Sequence, residues 1–301
     1  MKIVIAGASG FIGSLVTQRL WEQSHALRLL SRRPISGGKK TDQEWILWNP
    51  DSGGAWQGSV DDVDGIINLT GESIAEKRWT SGQKRKIISS RLDTTRALVD
   101  AIAAANRKPK FLINASAVGY YGPHGDEILT EKSPAGKDFL GRLCVDWENE
   151  ASRAQEFGVR VVLLRTGIVL GKGKGALAKM VLPFRLFVGG PLGSGAQWFP
   201  WIHVDDEVGL INFLIEKEDA AGPVNATAPN PVRMEEFSKA LGEVLNRPSW
   251  AQVPASALAL LLGEMADMLL TGQRAMPETA LKMGYNFKYT DVTQALRSLG
   301  L

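Results

Sequence analysis

Three glycines near the start of the chain have the spacing and the neighbours that a phosphate-binding turn needs. Gly7, Gly10 and Gly13 follow the apolar run Ile3–Ala6, and apolar residues then recur at helical spacing over residues 11–20. A strand, a glycine turn and a helix in this order bring backbone N–H groups and the positive end of the helix dipole to an anion. The glycines allow the tight turn, the approach of the phosphates and close helix–strand packing. The alternative is a plain structural turn. The pattern favours a dinucleotide pyrophosphate site formed by Gly7, Ser9, Gly10, Phe11, Ile12 and Gly13.

The end of the second predicted strand indicates which dinucleotide would bind. Where the ribose 2′-hydroxyl is free, an acidic residue usually stands there, ~20 residues past the glycines. Here the chain reads LSRR over residues 30–33, and no Asp or Glu stands between residues 23 and 40. A guanidinium offers several N–H donors and a permanent charge to a 2′-phosphate. Ser31 and Arg32 therefore favour NADP(H) over NAD(H), with a solvated loop arginine as the alternative, above all for Arg33.

Composition narrows the function classes. The chain has 301 residues, of which 44% are hydrophobic, enough for one large core or two coupled ones. Its net charge of +3 is small for this length, and we expect no nucleic-acid partner. No stretch approaches the ~20 apolar residues of a membrane span. The lone cysteine, Cys144, allows no internal disulfide and fits a reducing, cytoplasmic location, and no His/Cys cluster indicates a metal.

Alternating strands and helices must position these residues. Apolar runs predict strands at Ile3–Ala6, Ala26–Leu30, Trp45–Trp48, Gly65–Leu69, Lys110–Ala115 and Arg160–Leu164. Helical patterns separate them, including residues 83–105 and 139–157. This order predicts an α/β fold with a Rossmann-type, doubly wound, mostly parallel sheet. Because ligands of such sheets bind beyond the carboxyl ends of the strands, residues 7–13, 31–33, 69–72, 116–122 and 166–171 should border one cleft.

The pattern changes after residue 171. A glycine-rich loop at residues 189–195 is followed by helical patterns at about 205–214, 234–245, 255–270 and 291–299. We predict a dinucleotide-binding domain over residues 1–170, with a return segment near 203–228. Residues 171–301 would form a smaller, mostly helical substrate lobe that closes over the cleft.

Several motifs together resemble one protein superfamily. They are GASGFIG (7–13), NLTGE (68–72), SRLDTT (90–95), RTGIVLG (165–171) and WIHVDD (201–206). The chain resembles epimerase-type short-chain dehydrogenases/reductases of the extended or atypical kind. GESIAEKRWT (71–80), SAVGYYG (116–122) and residues 183–206 are similar to a nucleoside-diphosphate-sugar-epimerase-like subgroup, sometimes labelled cell-division inhibitors. That subgroup has a final helical domain, which GQRAMP (272–277) places near residues 248–298.

The resemblance implies NADP(H) as cofactor and assigns positions to it. Ser31 and Arg32 would contact the adenosine phosphate, and Leu69 and Thr70 would line the ribose, with Gly71 beside them. Lys86 and Arg91 lie on one side of the following helix and could face the cofactor. Val169 would lie near the nicotinamide.

The resemblance also implies catalysis by Ser/Thr, Tyr and Lys, with the lysine four residues after the tyrosine. Ser116 matches the serine. The Tyr-x-x-x-Lys pair is absent, because none of the four tyrosines has a lysine four residues on. On the helix that should carry the pair, the expected positions hold Phe139 or Leu140 and Leu143 or Cys144. Tyr120 and Tyr121 remain as catalytic candidates at the nicotinamide, with packing under the helical lobe as the alternative.

Three functions are compatible with these observations. The first is an NADP(H)-dependent oxidoreductase with a small, unidentified substrate and another proton donor. The second is a non-catalytic sensor or regulatory protein that binds NADP(H), which the missing pair favours. The third is a sugar-nucleotide epimerase, against which the missing pair argues. His203, next to an acidic pair, is interpreted as structural.

Overall fold

A parallel sheet lies at the centre of the computed structural model, which describes residues 1–34 and 42–301. In chain order the strands are β1 (Lys2–Ala6), β2 (Ala26–Ser31), β3 (Gln43–Leu47), β4 (Gly65–Asn68), β5 (Phe111–Ala117), β6 (Ile128–Leu129), β7 (Arg160–Thr166), β8 (Ile168–Leu170), β9 (Trp198–Phe199), β10 (Trp201–His203), β11 (Gly222–Ala226), β12 (Val232–Arg233) and β13 (Arg274–Ala275). The central sheet has the order β11-β7-β5-β4-β1-β2-β3, and its pairings are parallel. The Rossmann-type α/β fold is thereby confirmed.

Helices cover both faces of the sheet. They are α1 (Phe11–Glu22), α2 (Ser81–Ala104), α3 (Phe139–Ser152), α4 (Gly175–Arg185), α5 (Val204–Glu216), α6 (Met234–Leu245), α7 (Ala255–Leu262), α8 (Met265–Leu270), α9 (Glu278–Lys282) and α10 (Val292–Ser298). Short 3₁₀ turns lie at Ala55–Val60, Val118–Tyr121 and Arg153–Phe157. In the described part of the chain, no helix has the length and apolar character to cross a membrane.

The two faces of the sheet have separate apolar cores. On β1, Ile3 and Ile5 pack with α1 and α5, whereas Val4 and Ala6 pack with α2 and the end of α3. Successive strand residues point to opposite faces, so a strand covered on both sides must be apolar throughout. This burial explains why the strands of the first half of the chain read as continuous apolar runs.

The chain returns to the sheet after residue 171. Helix α5 packs beside α1, and β11 pairs with β7 at the edge of the sheet. Beyond this return, α4, α6 and α10 enclose a third core around Phe199 and Trp201. This helical part faces the carboxyl ends of the central strands through the cavity described below.

One predicted helix is wrong in its extent. The pattern over residues 255–270 predicts a single helix, but α7 ends at Leu262 and α8 begins at Met265. Gly263 between them has φ +61°, a conformation that ends a right-handed helix. Likewise, the helix predicted over residues 139–157 is α3 followed by a 3₁₀ turn from Arg153.

Candidate functional site

The glycine turn after β1 is sterically tight. Gly7 has φ +86°, and a Cβ on it would lie 2.7 Å from the Leu69 carbonyl oxygen. A Cβ on Gly13 would lie 2.1 Å from the Gly7 carbonyl oxygen. Gly10 N donates to Gly7 O at 3.0 Å, and Ser9 and Gly10 are exposed. No described side chain caps α1, so the N–H groups of its first turn, from Phe11, Ile12 and Gly13, are available to an anion.

A cavity of about 190 Å³, named the smaller cavity, lies beside the end of β2. Its lining includes Arg32, Lys86, Asn49, Ser89 and Ser90, and also two carboxylates, Asp51 and Glu72. No ion pair among the described residues involves either Arg32 or Lys86. The Ser31 hydroxyl instead donates to Arg33 O at 2.8 Å and shapes the turn. Two cations therefore face the region where the second strand ends.

The loop after β4 closes the other side of the glycine turn. Leu69 N donates to Ala6 O at 2.9 Å, and Thr70 Oγ1 donates to Asn68 Oδ1 at 2.6 Å. Gly71 lies against Arg91, because a Cβ on this glycine would be 3.1 Å from the guanidinium carbon. These contacts fix the position of the loop relative to α2.

Arg91 lines a second, larger cavity and not the one that Lys86 lines. Its Nη1 donates to the carbonyl oxygens of Glu72 and Ile87, each at 3.1 Å. The guanidinium carbon lies 5.1 Å from the centre of the Trp147 ring. Burial lowers the pKa of Arg91 from its ordinary value.

The larger cavity has a volume of about 630 Å³ and lies between the carboxyl ends of the strands and the helical part. Most of its lining is apolar, and about half of the aromatic lining consists of tryptophan. Representative lining side chains are Trp79, Phe139, Leu143, Trp147, Met180, Phe184, Leu192, Trp198, Met234, Leu262, Met265 and Met268. A cavity of this size and character suits an apolar ligand.

Helix α3 faces this cavity. It contains the positions at which the family resemblance implies a catalytic tyrosine and lysine. Phe139, Leu140, Leu143 and Cys144 all line it. Burial raises the pKa of the Cys144 thiol to about 12, so the group is a neutral thiol at pH 7. The face of α3 toward the cavity is thus apolar.

Ser116 is not part of the larger-cavity lining. It is 4% exposed, and its Oγ donates to Glu148 Oε1 at 2.6 Å. Arg165 makes a bidentate pair with the same carboxylate, since Nε and Nη2 each donate at 2.8 Å. The next residue, Ala117, lines the cavity, as the alternation of side chains along β5 requires. A catalytic role for Ser116 stays a prediction that this geometry does not favour.

The two adjacent tyrosines pack beneath the site. Tyr121 is 0% exposed; its hydroxyl donates to Asn225 Oδ1 at 2.7 Å and accepts from Arg165 Nη1 at 3.1 Å. Burial raises the pKa of Tyr121 to about 12. The Tyr120 ring lies over the Arg165 guanidinium, with 3.4 Å between ring centre and guanidinium carbon. Both rings therefore pack against the buried arginine. This arrangement favours a packing role for the two tyrosines over a catalytic one.

Val169 lies in the core behind the cavity. It pairs with Ile202 between the short strands β8 and β10 and packs in the same core as α1 and α5. The neighbouring residues Thr166, Gly167 and Ile168 line the larger cavity instead. Phe11 packs against Gly171, where a Cβ would lie 2.3 Å from the phenyl ring.

A buried acidic residue, Glu207, lies behind the larger cavity. The sequence analysis did not identify it. Thr166 Oγ1 donates to Glu207 Oε1 at 2.8 Å. Glu207 is 0% exposed, and burial raises its pKa to about 8. The sequence places Thr166 in a segment expected at the cleft, and Glu207 directly follows Asp205-Asp206, but 41 residues separate the two.

His203 and Asp206 connect the sheet to the C-terminal segment. His203 Nδ1 accepts from Asp205 N at 3.1 Å, which caps α5, and its ring lies 3.9 Å from that of Tyr289. Asp206 accepts backbone hydrogen bonds from Lys288 and Tyr289. Within residues 1–34 and 42–301, no group of His, Cys, Asp and Glu could hold a metal ion. His203 and Asp206 thus join α5 and the sheet to the segment around residues 288–289.

Two protein-family models match separate segments of the chain. The NAD dependent epimerase/dehydratase family matches residues 3–226, and a domain of unknown function (DUF1731) matches residues 253–299. The chain is 44% identical to the epimerase family protein SDR39U1 homolog, chloroplastic, of Arabidopsis thaliana, over 99% of this chain and 86% of that protein. It is 40% identical to the epimerase family protein YfhF of Bacillus subtilis, over 99% and 98% of the two chains.

Solved structures agree with these relatives. The crystal structure of human epimerase family protein SDR39U1 (isoform 2) with NADPH superimposes with a TM-score of 0.89 at 33% identity and covers 99% of both chains. The UDP-glucose 4-epimerase of Thermotoga maritima, at 16% identity and a TM-score of 0.81, shares the fold over 100% of this chain and 98% of that one. With a family match across most of its length and relatives above 30% identity over nearly all of it, the chain belongs to the NAD dependent epimerase/dehydratase family.

Proposed function

We propose that this protein is an NADP(H)-dependent oxidoreductase that acts on an apolar small molecule with a carbonyl or hydroxyl group. The observation that carries the proposal is the larger cavity, which meets the carboxyl edge of a dinucleotide-binding sheet and is lined by apolar side chains. A nicotinamide at this edge would transfer hydride to or from a ligand held in the cavity. The protein's own part is to bind, orient and shield that ligand from water.

The assignment of the cofactor depends on the glycine turn and on the two cationic side chains beside it. The glycine turn, with uncapped α1, suits the pyrophosphate, and Arg32 and Lys86 suit a 2′-phosphate in the smaller cavity. The human relative with the same fold was crystallised with NADPH. Both lines of argument support NADP(H) over NAD(H).

The polar groups of the larger cavity argue against a sugar nucleotide. Among the described lining residues, the cationic ones are Arg91 and Lys179. Both already donate to backbone carbonyl oxygens, Lys179 Nζ to Ala75 O at 2.7 Å. A second pyrophosphate needs cationic or N–H partners, whereas aromatic and thioether side chains favour an apolar ligand.

A non-catalytic NADP(H)-binding sensor is the second candidate function. The observation that favours it is that the Ser116 and Tyr121 hydroxyls are both held in a buried network. Binding and turnover are therefore measured separately.

The cofactor is tested by titrating the purified protein with NADPH and with NADH, following fluorescence. We expect tighter binding of NADPH, and in Arg32→Asp a loss of that preference by at least about tenfold, since a charge-assisted phosphate contact disappears. Arg33→Asp is the matched control, because Arg33 is a neighbouring exposed arginine that is not part of the smaller-cavity lining. Tighter binding of NADH by the unaltered protein would contradict the NADP(H) assignment.

The reaction is tested by following NADPH oxidation with apolar aldehydes and ketones, for example octanal and benzaldehyde, beside UDP-glucose binding. We expect turnover with an apolar carbonyl compound and no binding of UDP-glucose. NADPH binding without turnover of any member of the series would leave the sensor as the function.

A further inference from the structure

We propose that Thr166 and Glu207 are the proton-donating pair of this site, in the role that a tyrosine–lysine pair plays in related enzymes. The inference rests on the proposed oxidoreductase function and deepens it. Thr166 would touch the substrate, and Glu207 would act through Thr166 as the store of the proton.

Thr166 has the position that a proton donor needs. It ends β7, pairs with Ala117 of β5, and lines the larger cavity beside Gly167 and Ile168. Thr166 is half-buried and its Oγ1 is hydrogen-bonded to Glu207, so the position of this oxygen on the cavity wall is fixed. A general acid must lie within hydrogen-bond reach of the oxygen that it protonates, and a residue on the cavity wall at the strand ends meets that condition.

Glu207 has the surroundings of a carboxyl group that keeps its proton. Within the described residues, its Oε1 accepts from Thr166 and its Oε2 has no hydrogen-bond partner. No ion pair there involves Glu207, unlike the buried Glu148, which Arg165 neutralises. A buried carboxylate without a cation is costly, so the protonated form is favoured at neutral pH, in agreement with its raised pKa.

The titratable groups around Glu207 do not supply a compensating charge. Asp205 and Asp206 precede it on α5, His203 at the end of β10 caps that helix, and Tyr285 and Lys288 come from the packed C-terminal segment. Lys288 pairs with Asp205, and Tyr285 donates to the Asp206 carbonyl oxygen. Burial raises the pKa of Tyr285, so it stays a neutral phenol.

In the direction of carbonyl reduction, one hydride transfer is accompanied by two proton transfers. NADPH, when bound, would supply the hydride that the carbonyl carbon gains and would thereby be oxidised. The Thr166 O–H bond breaks as an O–H bond forms on the substrate oxygen, and Glu207 passes its proton to Thr166 Oγ1. The Glu207 carboxylate then takes a proton from water to restore the starting state. When Glu207 is protonated at Oε1 it donates to Thr166, which leaves the threonine hydrogen for the cavity.

The other hydroxyl and thiol groups near the cavity are less suited. The Ser116 hydroxyl donates to Glu148 Oε1, an oxygen that also accepts from Arg165, so its hydrogen is already engaged in the buried network. Cys144 lines the cavity, but the carboxylate that interacts with it, Glu148, is paired with Arg165. Among these hydroxyl and thiol groups of residues 1–34 and 42–301, Thr166 is the one that lines the cavity and contacts a buried acid without a cationic partner.

The proton store is tested without turnover by infrared titration of the cofactor-free protein. We expect a protonated-carboxyl band at pH 6 that disappears as pH rises through about 8. The band should be absent in Glu207→Gln and shifted in Thr166→Val, which removes its hydrogen-bond partner. Glu216→Gln, at the other end of α5, is the matched control and should leave the band unchanged. A Glu207 carboxyl that is already ionised at pH 6 would overturn the proposal.

Transfer is tested by the pH profile of NADPH oxidation with an apolar aldehyde. We expect kcat of the unaltered protein to fall above about pH 8, and at least a hundredfold loss of kcat in both Thr166→Val and Glu207→Gln, with a flat profile in the latter. Thr166→Ser keeps the hydroxyl and should retain most of kcat. Turnover of Thr166→Val or Glu207→Gln equal to that of the unaltered protein would overturn the relay. Absence of turnover in the unaltered protein would instead contradict the oxidoreductase function, and the infrared result still decides the protonation of Glu207.

Discussion

Glu148 is the residue on which the buried polar network beneath the site depends. It accepts two hydrogen bonds from Arg165 and one from Ser116, and all three side chains are buried. Arg165 in turn supports both adjacent tyrosine rings and donates to the Tyr121 hydroxyl. Loss of the carboxylate would leave a guanidinium charge in the interior, where an unpaired charge is expensive.

We therefore predict that Glu148→Gln lowers the free energy of unfolding by about 3 to 5 kcal/mol, as is usual when one partner of a buried ion pair is removed. Urea denaturation followed by tryptophan fluorescence measures the change. Glu235→Gln on α6 is the control, since its pair with Lys239 is solvent-exposed and should contribute little to stability. Equal effects of the two substitutions would show that the buried pair is not critical for stability.

The positions of site residues could be predicted from the sequence where local geometry decides them, while their roles stay predictions. Gly7 and Gly13 are required by a turn of a few residues, and Arg32 follows directly from the end of a strand. It did not identify Thr166 with Glu207, because only the packing of α5 on the sheet brings residues so distant in sequence together. It also could not tell whether Ser116 or Ala117 faces the cavity, because a one-residue difference in strand register reverses the face.

At the scale of elements, hydrophobic patterns located the strands that are buried on both faces, and they missed β11. This strand contains Gly222, Pro223 and Asn225, residues that rarely occur in strands. It lies at the sheet edge, where proline is tolerated because one side of the strand needs no ladder hydrogen bond. Only pairing with β7 makes it a strand, and pairing of distant segments is not visible in local composition.

The break between α7 and α8 gives a prediction at this scale. Gly263 has φ +61° and ψ −140°, and a Cβ there would lie 2.8 Å from Arg78 Nε. Gly263→Ala should therefore lower the free energy of unfolding by about 1 to 3 kcal/mol through backbone strain. Gly125→Ala, with open space around its Cα and no positive φ, is the matched control. Thermal denaturation of both variants checks this, and a Gly263→Ala protein as stable as the control would contradict the strain.

At the scale of the whole molecule, the helical part contacts the nucleotide-binding part across the larger cavity. Lys84 of α2 pairs with Glu264 next to α8, and Lys179 of α4 donates to Ala75 O. Both contacts join segments about 100 or more residues apart. The sequence predicts that a helical lobe closes over the cleft, but the identity of the cavity lining depends on these distant contacts and becomes evident only in the folded chain.

The pH dependence of global stability follows from the burial of Glu207. Its pKa is raised to about 8 in the folded protein, from an ordinary 4.5 in the unfolded chain. The folded state therefore binds the proton more tightly, so the stabilising contribution is full below about pH 4.5 and is lost progressively as pH rises to about 8. Burial lowers the pKa of His203, which acts in the opposite direction at acidic pH, so the unaltered protein alone would not isolate the effect.

Glu207→Gln keeps the size of the protonated side chain and removes its titration, while His203 is the same in both proteins. We predict that the unaltered protein loses stability relative to Glu207→Gln by about 1 kcal/mol for each pH unit between 5 and 8, with a bound on the order of 5 kcal/mol. Urea midpoints at several pH values measure the difference, and a difference that does not change with pH would mean that Glu207 titrates as an ordinary carboxyl group.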